Sequence, residues 1–91
     1  MSDQIRASHI LVDQEYEAKD LIKKIEEGTS FEELAKKFSK CPSSDEGGDL
    51  GRFGKGMMVP EFDKAVFALN PGELSAPVRT QFGYHLIKRT E

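Results

Sequence analysis

The two ends of the chain place the strongest constraint on its fold. "QIRASHILV", Gln4 to Val12, is rich in β-branched and aliphatic residues at both parities, the pattern of a central strand covered on both faces. Near the other end, Tyr84, Leu86 and Lys88 alternate with His85, Ile87 and Arg89, the period-two pattern of a second strand. Each run sets a histidine in an apolar stretch, where an imidazole is tolerated only when hydrogen-bonded. If these strands are neighbours, His9 and His85 can satisfy one another.

Between these runs the periodicity turns helical. "YEAKDLIKKIEEG" sets Ala18, Leu21, Ile22 and Ile25 on one face, with Lys and Glu elsewhere and Gly28 as a stop. "SFEELAKKFS" offers Ser30 as a cap with Glu33 three residues on, and groups Phe31, Leu34, Ala35 and Phe38. That predicts a shorter helix ending near Ser39. A third helix is predicted from Pro60, which suits a first helical turn, through Phe62, Ala65, Val66 and Leu69 to a stop at Asn70-Pro71-Gly72. "DLGRF" reads as a short strand, and "APVRTQFGYHLIKRT" as two extended segments about a turn at Gln81 to Gly83. The order strand, helix, helix, strand, helix, strand, strand predicts an α+β fold, a small sheet with helices packed on it. With 91 residues and no repeat, low-complexity tract or linker, one domain over residues 1–91 is expected.

The formal net charge of -3 argues against a nucleic-acid partner, because phosphate binding draws on clustered Lys and Arg. No basic segment leads into a long apolar run and no stretch reaches transmembrane length, so the expected location is the cytoplasm. The single cysteine cannot form an internal disulfide, which fits a reducing compartment.

"KCPSSDEGGDLGRFGKGMMVPEF", residues 40–62, holds five of the eight glycines, the only cysteine and two adjacent methionines. Its glycines miss the phosphate-binding spacings. Asp49 stands where a P-loop needs its first glycine before Gly54-Lys55, Gly56 where Ser or Thr should follow, and Val59 where a G-x-G-x-x-G run from Gly54 would close. Cys41 with His9 or His85 as base makes a thiol nucleophile only where the residues meet in space. Taken alone, such a cysteine is more often a small buried residue at a helix end. No pair of Cys or His residues has C-x-x-C or H-x-x-x-H spacing, so no metal site is expected.

"ASHILV", "FSKC", "GGDLGRFGKGMMVPEFDKAVFAL" and "PGELSAPVRTQFGYHLIKR", in that order from Ile5 to Arg89, together resemble the parvulins, the small peptidyl-prolyl cis/trans isomerases. The resemblance implies the parvulin fold of the FKBP-like superfold, a four-stranded, mostly antiparallel sheet surrounded by helices. It implies neither cofactor nor metal. By position, His9 and His85 match paired histidines on adjacent central strands, and Thr80 matches a hydroxyl residue in their hydrogen-bond network. Cys41 matches a position that is Cys in some members and Asp in others. Leu50, Met58 and Phe62 match the apolar pocket for the proline ring, with Phe82 near it, whereas Met57 does not align with the pocket.

The implied activity is non-covalent isomerisation of Xaa-Pro bonds in proline-containing peptides and in unfolded or flexible protein segments, by a domain acting as a monomer. In that scheme His9, His85 and Thr80 set the polarity of the site, and Cys41 tunes the field beside the turning carbonyl without attacking it. The alternative is a peptide-binding chaperone module with weak or no isomerase activity. Phosphate-directed parvulins carry a basic cluster after the first strand, but "VDQEYEAK" places Asp13, Glu15 and Glu17 there. Uncharged or basic residues before proline are therefore expected, without a phosphoserine or phosphothreonine requirement.

Overall fold

The computed structural model describes residues 4–91. In chain order the elements are β1 (Ile5–Val12), α1 (Glu15–Glu26), α2 (Phe31–Phe38), a short 3-10 helix (Pro42–Glu46), β2 (Asp49–Phe53), α3 (Pro60–Phe67), β3 (Val78–Thr80) and β4 (Gly83–Arg89). The strands lie in the order β2-β1-β4-β3, and all three pairings are antiparallel. The two ends of the chain thus meet at the middle of the sheet, with His9 opposite Ile87 and His85 opposite Leu11.

Successive side chains of a strand point to opposite faces, and each face of this sheet has its own apolar cluster. On one, Ile10, Val12 and Leu86 pack with Ala18 and Leu21 of α1 and with Phe31, Leu34 and Ala35 of α2. On the other, Ile5, Ala7, Phe53 and Ile87 pack with Phe62 and Val66 of α3. This double coverage is why β1 needs apolar residues at both parities. Helix starts follow local chemistry: the Ser30 hydroxyl accepts from the Glu33 backbone N–H at 3.1 Å, and the Glu17 carboxylate accepts from the Gln14 backbone N–H at 3.1 Å.

Three details depart from the sequence pattern. Residues 42–46 form a 3-10 helix, an element absent from the order read in the sequence, because Pro42 presets the first turn and Gly47, at φ 69°, ends it in the left-handed region. α3 stops at Phe67, and Leu69 closes a tighter turn through its N–H to the Val66 carbonyl. Phe38 is 43% exposed, its ring covered by the Lys24 ammonium 4.9 Å from its centroid rather than by the core. Among the described residues no helix is long and apolar enough to cross a membrane.

The pairing of β1 with β2 contains a bulge. Arg6 faces Arg52 but Ser8 faces Asp49, so Leu50 and Gly51 together oppose Ala7, and Gly51 takes φ 73° to do so. Just before it, Gly48 lies close against β1, its carbonyl accepting from the His9 N–H at 2.9 Å. A Cβ on Gly48 would stand 2.5 Å from the His9 carbonyl oxygen, and the residue already sits at φ +89°. Gly48→Ala is therefore expected to cost about 2 to 4 kcal/mol, read by urea denaturation, with faster amide exchange at His9. An alanine variant as stable as the parent would show that this close approach is dispensable.

Candidate active site

His9 and His85 lie on the α3 face of the two central strands as diagonal neighbours. Their Nδ1 atoms are 3.0 Å apart, with ring planes 16° from parallel. His85 Nε2 lies 2.7 Å from Thr80 Oγ1, which also accepts from the Phe82 backbone N–H at 3.1 Å. Thr80 ends β3 opposite Gly83, so the tight turn between the last two strands delivers the hydroxyl to the imidazole. Phe62, in the first turn of α3, sets its ring edge-on to both histidines, with centroids at 5.5 and 5.3 Å.

An Nδ1 to Nδ1 contact needs one proton between two nitrogens, so one ring donates and the other, which must be neutral, accepts. A positive charge on both rings would set one N–H against the other. Burial lowers the pKa of both rings, and for His9 the positive form of His85 lowers it further, to about 4. His9 Nε2 is buried without a partner, which makes the ring a still poorer place for a charge. At neutral pH the pair is thus an uncharged polar patch.

Cys41 is placed by a stitch between its own segment and β1. The Ser39 hydroxyl accepts from the Leu11 backbone N–H at 3.0 Å and from the Cys41 N–H at 3.4 Å, while the Leu11 carbonyl accepts from the Lys40 N–H at 2.8 Å. Residues 39–40 thereby continue the pairing of β1 where β2 has ended. Among the described residues no hydrogen bond joins the Cys41 thiol to either imidazole, so the contact that would activate a thiol nucleophile is missing.

These elements surround a pocket of about 370 Å³. The buried His9, His85 and Phe62 line it together with Leu50 and Met58, and Cys41 and the 60% exposed Phe82 stand toward solvent. Seven of the eight sequence-selected residues therefore line one cavity, and Thr80 stands behind His85. Met57 stays outside, 65% exposed, with its sulfur accepting from the Gly54 N–H at 3.2 Å.

The pocket is also lined by Leu11, Lys40, Pro42 and Val59, which sequence reasoning did not select. Leu11 was within reach, since it shares the parity of His9 on the same strand. Lys40 and Pro42 were not, because only the Ser39 stitch brings them to the sheet. Lys40 forms an ion pair with Asp13, so Asp13 is not the unpaired anion that the segment "VDQEYEAK" suggests. Among the described residues no group of three or more His, Cys, Asp or Glu is arranged to hold a metal ion.

What this arrangement offers is an apolar seat for a compact ring beside neutral, hydrogen-bonded imidazoles, open enough for a chain to enter and leave. Comparison with known proteins points the same way. Residues 9–91 match the family model described as Rotamase, PPIC-type PPIase domain. The foldase protein PrsA of Bacillus subtilis is 51% identical over 92 residues, covering 100% of this chain and 32% of that protein. Its crystal structure superposes with a TM-score of 0.95 at 51% identity, over 98% of this chain and 35% of that one. NmPin, the parvulin of Nitrosopumilus maritimus, has a solution structure that matches with a TM-score of 0.91 at 44% identity, over 100% of this chain and 99% of that one. The chain thus spans about a third of the foldases it matches, and nearly all of the archaeal parvulin.

Proposed function

The chain belongs to the family of PPIC-type peptidyl-prolyl isomerase domains, and we propose from this that it accelerates cis/trans rotation about Xaa-Pro bonds in flexible or unfolded protein segments, aiding their folding. The observation that carries this reading is the pocket itself: its walls are apolar, its buried imidazoles are neutral, and no nucleophile in it is paired with a base.

Rotation about an Xaa-Pro bond is slow because twisting breaks amide resonance, against a barrier of roughly 18 to 20 kcal/mol. No covalent bond to the substrate is required. A thousandfold acceleration needs only about 4 kcal/mol of preference for the twisted state. Leu50, Met58 and Phe62 grip the proline ring while the carbonyl of the preceding residue turns past Cys41. Because only differential binding accelerates a reaction, the surface must suit the twisted amide better than either planar form. An apolar wall does so, since a twisted amide carries less charge separation. Neutral histidines keep a fixed charge from opposing this.

Two-dimensional NMR exchange spectroscopy on an Ala-Pro peptide with a catalytic amount of protein tests the proposal. Exchange cross-peaks within seconds support it, whereas binding shifts without exchange would leave a peptide-holding module. Cys41→Asp is expected to keep turnover within about tenfold of the parent, since the side chain only tunes the local field. Loss of all activity in a folded variant would instead make the thiol essential. Peptides with phosphoserine before proline are expected to turn over no better than their alanine counterparts, and a tenfold advantage for them would overturn that preference. We also read the domain as a monomer working in the cytoplasm. The unpaired Cys41 in the pocket wall supports the reducing setting, and a single sedimenting species of 10.2 kDa would support the first point.

A further inference from the structure

We propose that the Asp13–Lys40 ion pair sets the charge preference of the pocket for the residue preceding proline. Asp13 holds and neutralises Lys40, the one cationic residue among the described residues that line the pocket, so that an acidic residue there finds no partner, and uncharged or basic residues are accepted. This deepens the isomerase reading and rests on it.

With both histidines neutral, Lys40 is the only charged side chain among the described residues that line the cavity. A free ammonium beside Cys41 would favour carboxylate or phosphate on the incoming chain. Its position is anchored, because the Lys40 backbone N–H donates to the Leu11 carbonyl at 2.8 Å. Asp13 follows directly on the end of β1 at Val12, so both partners are hung from the same strand, and their side chains form an ion pair, with Lys40 and Leu11 both lining the pocket. Glu17, fixed by its hydrogen bond from the Gln14 backbone, adds a second attraction on the same ammonium. One cation therefore faces two anions at this edge, which favours a basic over an acidic residue before proline. Both paired side chains are about half exposed, at 52% and 55%, so the effect is moderate and sensitive to salt.

The test uses three otherwise identical peptides containing Glu-Pro, Ala-Pro and Arg-Pro, with the intact protein, Asp13→Asn, and the double variant Asp13→Asn/Lys40→Gln. Exchange rates and chemical-shift titrations are both recorded, at low and at high salt. Asp13→Asn is expected to raise the Glu-Pro to Ala-Pro ratio by about threefold to fivefold at low salt and to leave Ala-Pro turnover unchanged. The gain should vanish at high salt and in the double variant. An unchanged ratio in Asp13→Asn, or a gain that survives the loss of Lys40, would overturn the proposal. The same ratio is read from binding alone, so a protein that binds these peptides without accelerating Ala-Pro exchange would count against the isomerase reading and still decide the ion pair.

Discussion

Phe62→Ala is expected to lower kcat/KM for an Ala-Pro peptide by at least about tenfold and to cost about 3 to 4 kcal/mol of stability. The ring is only 3% exposed, joins Ile5, Ala7, Phe53, Val66 and Ile87 in one cluster, and presents its edge to both histidines. Truncation therefore opens a cavity under the pocket and removes its most rigid wall. For a domain of this size such a loss is a large fraction of the total stability, so activity must be measured on a second variant as well. Met58→Ala serves this purpose. Met58 is half-buried and lies before α3, so its truncation is expected to cost about 1 kcal/mol or less while slowing turnover several-fold. Stopped-flow or NMR exchange kinetics alongside urea titrations separate the two effects. Unchanged kinetics in both variants would remove the assignment of this cavity to the proline ring.

The histidine pair is expected to control both stability and its dependence on pH. His85→Leu deprives Thr80 Oγ1 and His9 Nδ1 of a partner at once, and a buried polar group left unpaired costs about 1 to 3 kcal/mol. His9→Leu leaves only His85 Nδ1 without its partner, since His85 Nε2 keeps the Thr80 hydroxyl. The double variant His9→Leu/His85→Leu leaves no unpaired imidazole, so its cost should fall short of the sum of the single costs by about 1 kcal/mol or more. Strict additivity would mean that the 3.0 Å contact carries no coupling. Titration of the parent gives the second readout. Both folded-state pKa values lie below the ordinary histidine value of 6.5, His9 at about 4. As pH falls below 6.5 the unfolded chain binds the protons first. The stabilisation is fully present above that pH and is lost between about 6.5 and 4, by about 3 kcal/mol for His9 alone. Asp49, whose carboxyl Arg6 holds below its ordinary value of 3.8, loses its contribution only at lower pH, so the windows are separable. In the double leucine variant the decline between 6.5 and 4 should largely disappear.

Much of this architecture was legible in the sequence. The parity of "QIRASHILV" marked a strand covered on both faces, and the helical spacings placed Ala18, Leu21, Phe31, Leu34, Phe62 and Val66 on the faces that are buried. Seven of the eight selected site residues line one cavity because the ordered motifs carried position as well as composition. What escaped notice lay where local pattern is silent. The 3-10 helix is too short and polar to show a period. The exposure of Phe38 depends on Lys24 from another helix. Lys40 and Pro42 reach the pocket only through hydrogen bonds from Ser39, a residue that the sequence marked as no more than a helix end.

The sequence by itself determined where the four strands and three α-helices lie, most of the residues on the apolar face of each, and that both histidines would need partners. These properties follow from side-chain volume, polarity and backbone preference within a few residues of one another. Only the tertiary structure decided who those partners are. His9 meets His85 across 76 positions, Leu11 meets Ser39 across 28, and Asp13 meets Lys40 across 27. Strand register and the packing of both helical layers set these meetings to fractions of an ångström, and such distances belong to the assembled sheet rather than to any local run of residues.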